Sequence, residues 1–185
     1  MTKDERALLE QLDAIVHSPE VHPQLVPIVE RVREDLAKKP DAVMTWEPVG
    51  LEMFGENLPA SLESAWVFVL RAGADTGAER HPNSHQRMMT FGGTGNMKID
   101  AKGTPNEVES QSEIVWHSHV LVSDTNAPLE HRWISIPKNI WHRPVIPNDG
   151  HWVVVSFHTV PPGELIEERP GAEQMLYEAE RNRDD

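Results

Sequence analysis

Glu79-Arg80-His81-Pro82-Asn83-Ser84-His85-Gln86-Arg87-Met88-Met89-Thr90-Phe91-Gly92-Gly93-Thr94-Gly95 places two histidines and a glutamate just ahead of an apolar run that closes on a glycine-rich turn. A second stretch, Ile134-Ser135-Ile136-Pro137-Lys138-Asn139-Ile140-Trp141-His142, again runs from an apolar strand pattern to a histidine. Side chains i and i+2 of a strand share a face, so Glu79 and His81 point the same way. A histidine from a facing strand, such as His142, can then meet them around one ion inside a barrel. The chain has ten histidines in 185 residues, and eight of them fall between His81 and His158.

Outward from these stretches, the texture from about residue 42 to 160 is one of short apolar or alternating runs separated by Gly, Pro, Asn and Asp. This predicts an all-β sandwich or barrel. Strands are expected over 65–71, 88–91, 96–99, 114–122, 133–136 and 151–160, with a polar loop or hairpin tip over 100–112. Residues 1–40 read as a helical pair. Thr2 and Glu5 fit a capping box, and Leu8, Leu12, Ile15 and Val16 recur with helical spacing up to Ser18-Pro19. A second stripe, Leu25, Ile28, Val29, Val32 and Leu36, runs to Pro40, with Pro23 or Pro27 near its start. From Pro161 the chain holds eight acids and three bases, which reads as a solvated acidic arm with a short helical pattern over 172–181.

Composition narrows the function. Hydrophobic residues make up 38% and charged residues 25% of the chain, the balance of a folded globular protein. A net charge of -13 repels phosphate backbones and anionic lipid, so no nucleic acid or membrane partner is expected. With no cysteine, any metal must sit on His, carboxylate or amide. The first ten residues lack the apolar core of a signal peptide, which makes the cytoplasm the expected compartment. The longest apolar run, Trp66 to Leu70, is far too short to span a bilayer.

The two histidine-bearing stretches resemble the motifs of the cupin superfamily, G-x5-H-x-H-x3or4-E-x6-G and G-x5-P-x-G-x2-H-x3-N, laid over residues 73–95 and 131–146. Gln86 to Gly93 reproduces the E-x6-G spacing, and Pro137 to His142 reproduces P-x-G-x2-H. Glu79 then stands at the first family histidine, His81 at the second, Gln86 at the glutamate and His142 at the third histidine. Asn139 replaces a glycine, Ile146 an asparagine and His131 the leading glycine of the second motif. The resemblance implies a cupin-type antiparallel β-barrel (a double-stranded β-helix) over about 65–160, with the helical pair in front. It also implies a homodimer, to which the apolar stripes of the first 40 residues would contribute.

For the site, the resemblance implies a divalent transition metal on Glu79, His81 and His142. Gln86 completes the set, or His85 does so in a slipped register that gives three histidines. Two imidazoles and one carboxylate with open positions are the ligand type of mononuclear non-haem Fe(II) oxygenases; Zn, Mn or Ni can use the same donors. His119 or His158, turned inward, would move protons. His117 and His119 form a spaced pair without a following acidic partner, and at most one of His151 and His158 can face a cavity. The six tryptophans are mostly barrel packing, and beside a metal they would suit a planar or apolar molecule. The expected function is a metal-dependent enzyme for a small organic molecule, an Fe(II)-type dioxygenase first. A non-catalytic ligand-binding barrel and a metal-using isomerase or lyase are the alternatives.

Overall fold

The computed structural model describes residues 1–103, 110–172 and 175–176. Its elements are α1 (Lys3–Val16), α2 (His22–Lys38), β1 (Met44–Val49), β2 (Ser64–Leu70), β3 (Gln86–Gly92), β4 (Thr94–Asp100), β5 (Trp116–Val122), β6 (Trp133–Ile136), β7 (His142–Val145), β8 (Trp152–His158), β9 (Ile166–Glu167) and β10 (Met175–Leu176). Every expected strand is present, with its ends shifted by no more than two residues. β1 and β7 were not expected, and both carry a proline, Pro48 and Pro144. A proline removes a ladder donor, so it is confined to edges. Both strands are indeed terminal in their sheets.

Two antiparallel sheets face each other, one ordered β1-β2-β8-β3-β6 and the other β5-β4-β7. Side chains of both meet in one apolar cluster, with Phe68, Leu70, Met88 and Val154 from the larger sheet and Met97 and Leu121 from the smaller. This architecture of two facing antiparallel sheets behind an N-terminal helical pair is consistent with the expected cupin-type β-barrel. The outer face of the larger sheet carries Ala65, Val67, Val69, Val153, Val155 and Phe157, which join Leu9, Leu12, Leu25, Val29 and Leu36 of the helices in a second cluster. Central strands β2 and β8 are therefore buried on both faces, which is why Trp66 to Leu70 reads as an unbroken apolar run.

The helical stripes are consumed within the chain. Leu9, Leu12, Val16 and Leu25 are fully buried within the chain, in one cluster with the outer face of the larger sheet. Glu5 also departs from expectation. Thr2 Oγ1 accepts from the Glu5 N–H at 3.2 Å, yet the Glu5 carboxylate does not return to the cap. It accepts instead from Arg87 Nε at 2.7 Å and Ser135 Oγ at 2.6 Å, tying α1 to β3 and β6. A second tie lies two turns on, where Asp13 accepts from Trp133 Nε1 at 2.8 Å and from Arg132 at both oxygens.

The acidic arm is corrected as well. Leu165, Glu167 and Glu168 are buried, and residues 164–169 run as a strap fastened to residues 79–83. Met175–Leu176 pairs with β9 as a strand instead of continuing a helix. Much of the 172–181 pattern, and residues 104–109 of the expected loop, lie outside the described residues. No described helix is long and apolar enough to cross a membrane.

Candidate metal centre

Backbone pairing brings the first two groups together. Glu79 and His142 form an antiparallel bridge, each N–H donating to the other's carbonyl at 2.8 Å, so their side chains emerge side by side on one face. His81, two residues on, shares that face. Its carbonyl accepts from Asn139 N–H at 2.9 Å, which fastens the turn preceding His142. Asn139 has φ +68°, the left-handed conformation that the family glycine would take freely and that Asn tolerates better than most residues. The departure from the motif at that position thus leaves the turn intact.

Donor atoms of Glu79, His81 and His142 all lie within 4.8 Å of one another, and all three residues are buried. The remaining hydrogen bonds fix which ring nitrogens face inward. His81 Nδ1 is 3.1 Å from the carbonyl oxygen of Ile166, and His142 Nδ1 is 3.0 Å from that of Ile140. A carbonyl only accepts, so each Nδ1 carries the proton and each Nε2 of the neutral ring presents a bare lone pair. His142 Nε2 is buried without a hydrogen-bond partner. It stands 3.4 Å from Glu79 Oε1, also a lone-pair atom. Two acceptors facing each other in a water-poor site repel unless a cation or a proton lies between them, and a divalent ion fits that arrangement.

Charge around the triad is consistent with this. Burial alone would raise the Glu79 carboxyl, but its contact with His142 and its nearness to His142, His81 and the Arg169 guanidinium bring it below the ordinary carboxylate range. Burial and the neighbouring His142 push His81 down to about 4, so its ring is neutral near pH 7, the form a metal requires. Arg169 Nη2 lies 3.3 Å from Glu79 Oε2 and 2.7 Å from Glu167 Oε1. It therefore occupies one oxygen of Glu79 and leaves Oε1 directed at the histidines.

Gln86 lines the cavity beside the triad, donating from Nε2 to Ser156 Oγ at 3.1 Å and leaving a buried Oε1 without a partner. His85 does not. Alternation along the chain sends it to the opposite face with Arg87, where its Nε2 is 2.7 Å from Ser135 Oγ and 3.8 Å from Glu5. The slipped register is thereby corrected: the ring belongs to the docking site of α1.

His158 is fully buried and lines the cavity, its ring centroid 5.4 Å from that of His81. Ser84 Oγ lies 3.3 Å from its Nδ1 and Ser156 Oγ 3.1 Å from its Nε2. Burial, then the neighbouring imidazoles of His81 and His142, lowers it well below the usual imidazole value. His151 faces solvent and accepts from Ala72 N–H. His119 pairs in register with Met97 on the inner side of edge strand β5, 5.0 Å from His117, but is not among the described residues lining the cavity. Met97, its partner on β4, does line the cavity, whereas His119 stays half-buried on the sheet edge.

Sequence reading missed the strap. Ile166 supplies the carbonyl that sets the His81 tautomer, Arg169 braces Glu79, and Asn83 ties the strap down by donating to Glu164 O at 2.6 Å and accepting from Ile166 N–H. The Leu165-Ile166 pair amid acidic residues was the available signal.

No family model and no curated protein matches the sequence. Among solved structures the fold is similar to CapF bound to the inhibitor 3-isopropenyl-tropolone, with TM-score 0.49, 10% identity, and coverage of 67% of this chain and 30% of that one. It is also similar to oxalate oxidase in complex with the substrate analogue glycolate (TM-score 0.43, 14% identity, 74% of this chain and 56% of that one). Oxalate decarboxylase is a third (TM-score 0.45, 11% identity, 74% of this chain and 29% of that one). The chain thus spans less than two thirds of each of these proteins. Similarity at this level concerns the fold, and the chemistry of the centre rests on its own residues.

Proposed function

We propose that the chain is a metal-dependent enzyme for a small organic molecule, with mononuclear non-haem Fe(II) dioxygenase chemistry as the specific form. The observation that carries this is the buried His142 Nε2 facing Glu79 Oε1 at 3.4 Å, two lone-pair atoms that a cation reconciles. Two imidazoles and one carboxylate bind Fe(II) with positions left open, while Zn, Mn and Ni accept the same donors. A divalent ion held there supplies Lewis-acid polarisation and, for iron, O2 chemistry.

The chain's own groups would do the rest. Carbonyls of Ile166 and Ile140 hold His81 and His142 in the binding tautomer. Gln86 Oε1 is free to accept a hydrogen bond from a bound molecule or water. His158, between the hydroxyls of Ser84 and Ser156, has a hydrogen-bonded route along which a proton can be handed to the cavity. Apolar side chains such as Met88, Met97 and Val154 keep bulk water away. The presence of Gln86 where the family motif has a glutamate favours a second reading, a barrel that binds a ligand without turnover.

Metal analysis of protein purified without chelators tests the proposal. About one equivalent of ion is expected in the natural chain, with affinity reduced about 100-fold or more in His81→Ala and His142→Ala. Full metal content in both variants contradicts it. Oxygen uptake by the Fe(II)-loaded protein with candidate substrates supports the oxygenase form. Turnover under strict anaerobiosis assigns the site to an isomerase or lyase instead.

A further inference from the structure

The inner faces of β3, β8 and β2 form a ladder whose polarity changes rung by rung. Gln86, His158 and Ser64 stand opposite one another at one end, followed by Met88, Ser156 and Trp66. Thr90, Val154 and Phe68 make the third rung; Leu70 lies one rung further, opposite Met44 of β1. At a strand rise of about 3.3 Å per residue, the third rung lies about 13 Å from the first.

The cavity follows this gradient. Its polar lining, Glu79, His81, Gln86 and His158, gathers at the metal centre, and the other lining residues, among them Met44, Phe68, Leu70, Met88, Met97 and Val154, are all apolar. None of its described lining residues is Lys or Arg. An anionic group carried to the third rung would therefore be stripped of water with no cation to meet it, a strongly unfavourable transfer. At the polar end the sole formal charge of the lining is that of Glu79, and Arg169 behind it is countered by Glu167, so a divalent ion leaves one net positive charge there. The three methionines give the far wall an adaptable shape instead of a fixed slot.

We infer that the centre takes a small molecule with one polar head, bearing at most one negative charge, at His81, Gln86 and His158, and an uncharged apolar body lying along Met88, Val154 and Phe68. A dicarboxylate long enough to carry its second charge to that wall is disfavoured. This rests on the metal-centre reading, and the experiment separates the two.

The natural chain is loaded with Co(II), whose d–d absorption reports ligands entering at the ion, and is then titrated with acetate, hexanoate and adipate at equal ionic strength. Acetate offers the head alone, hexanoate adds the body, and adipate adds a second anion at the same length. Hexanoate is expected to bind at least about tenfold more tightly than either, since four further methylenes leave water only in its case. Equal affinity for adipate and hexanoate, or for acetate and hexanoate, overturns the inference while leaving the metal centre standing. So does a band that hexanoate does not change. Failure of the chain to take up Co(II) at all overturns the metal centre and this inference with it.

Discussion

Asn139 sets the course of the chain into His142, because its positive φ turns the backbone after Pro137 while its N–H reaches the His81 carbonyl. Asn139→Gly should leave stability nearly unchanged. Asn139→Val should cost about 1–2 kcal/mol, the penalty of a β-branched residue in the left-handed region, measured as a shift in the urea midpoint. An unchanged midpoint for the valine variant contradicts this role. Arg169 acts on the centre through Glu79. Arg169→Met should weaken metal binding about 10–100-fold in chelator competition while the far-ultraviolet circular dichroism stays native, and Arg169→Lys should recover part of the loss. Glu79, His81 and His142 were legible because strand alternation and motif spacing are local properties. Arg169 was not, since its contact with Glu79 spans 90 positions and its neighbours in sequence are those of a charged surface segment.

Helix α1 is held to the sheet by two half-buried carboxylates, and this makes its docking depend on pH. Burial acts to raise both, but hydrogen bonds from His17, Arg132 and Trp133 lower Asp13 well below the usual range, and those from Arg87 and Ser135 lower Glu5. A depressed carboxyl contributes fully above its unfolded value of about 4 and loses that contribution as pH falls through the folded value. His17 is raised by its contact with Asp13, so its contribution is complete below about pH 6.5 and fades as pH climbs through the folded value. Stability from this docking should therefore peak between about pH 4 and 6.5. Asp13→Asn should lower it there by about 2 kcal/mol and flatten both limbs in a series of urea titrations. A variant retaining the natural pH profile would show that these contacts do not hold the helix. The helix itself was readable from its apolar spacing, but Glu5 was read as a cap because the sequence does not show that Arg87 waits across the interface.

At the scale of the molecule, three layers converge on one end of the barrel. The helices cover the outer face of the larger sheet, the smaller sheet covers its inner face, and the strap closes over the bridge between Glu79 and His142. The β character and the positions of the main strands along the chain were visible in the sequence, because runs bounded by Gly and Pro survive without tertiary information. The proline-bearing edge strands and the buried strap were not, since each is stabilised by partners far along the chain: β7 by β4, and Arg80 by the backbone of Glu168. The central claim is that this convergence builds a cage for one divalent ion. Anomalous diffraction from crystals of chelator-free protein, collected at the iron, manganese, nickel and zinc edges, tests it most directly. A single anomalous peak within bonding distance of His81 Nε2, His142 Nε2 and a Glu79 oxygen is the predicted result; a metal-soaked crystal with no peak there, or with those nitrogens turned apart, would contradict it.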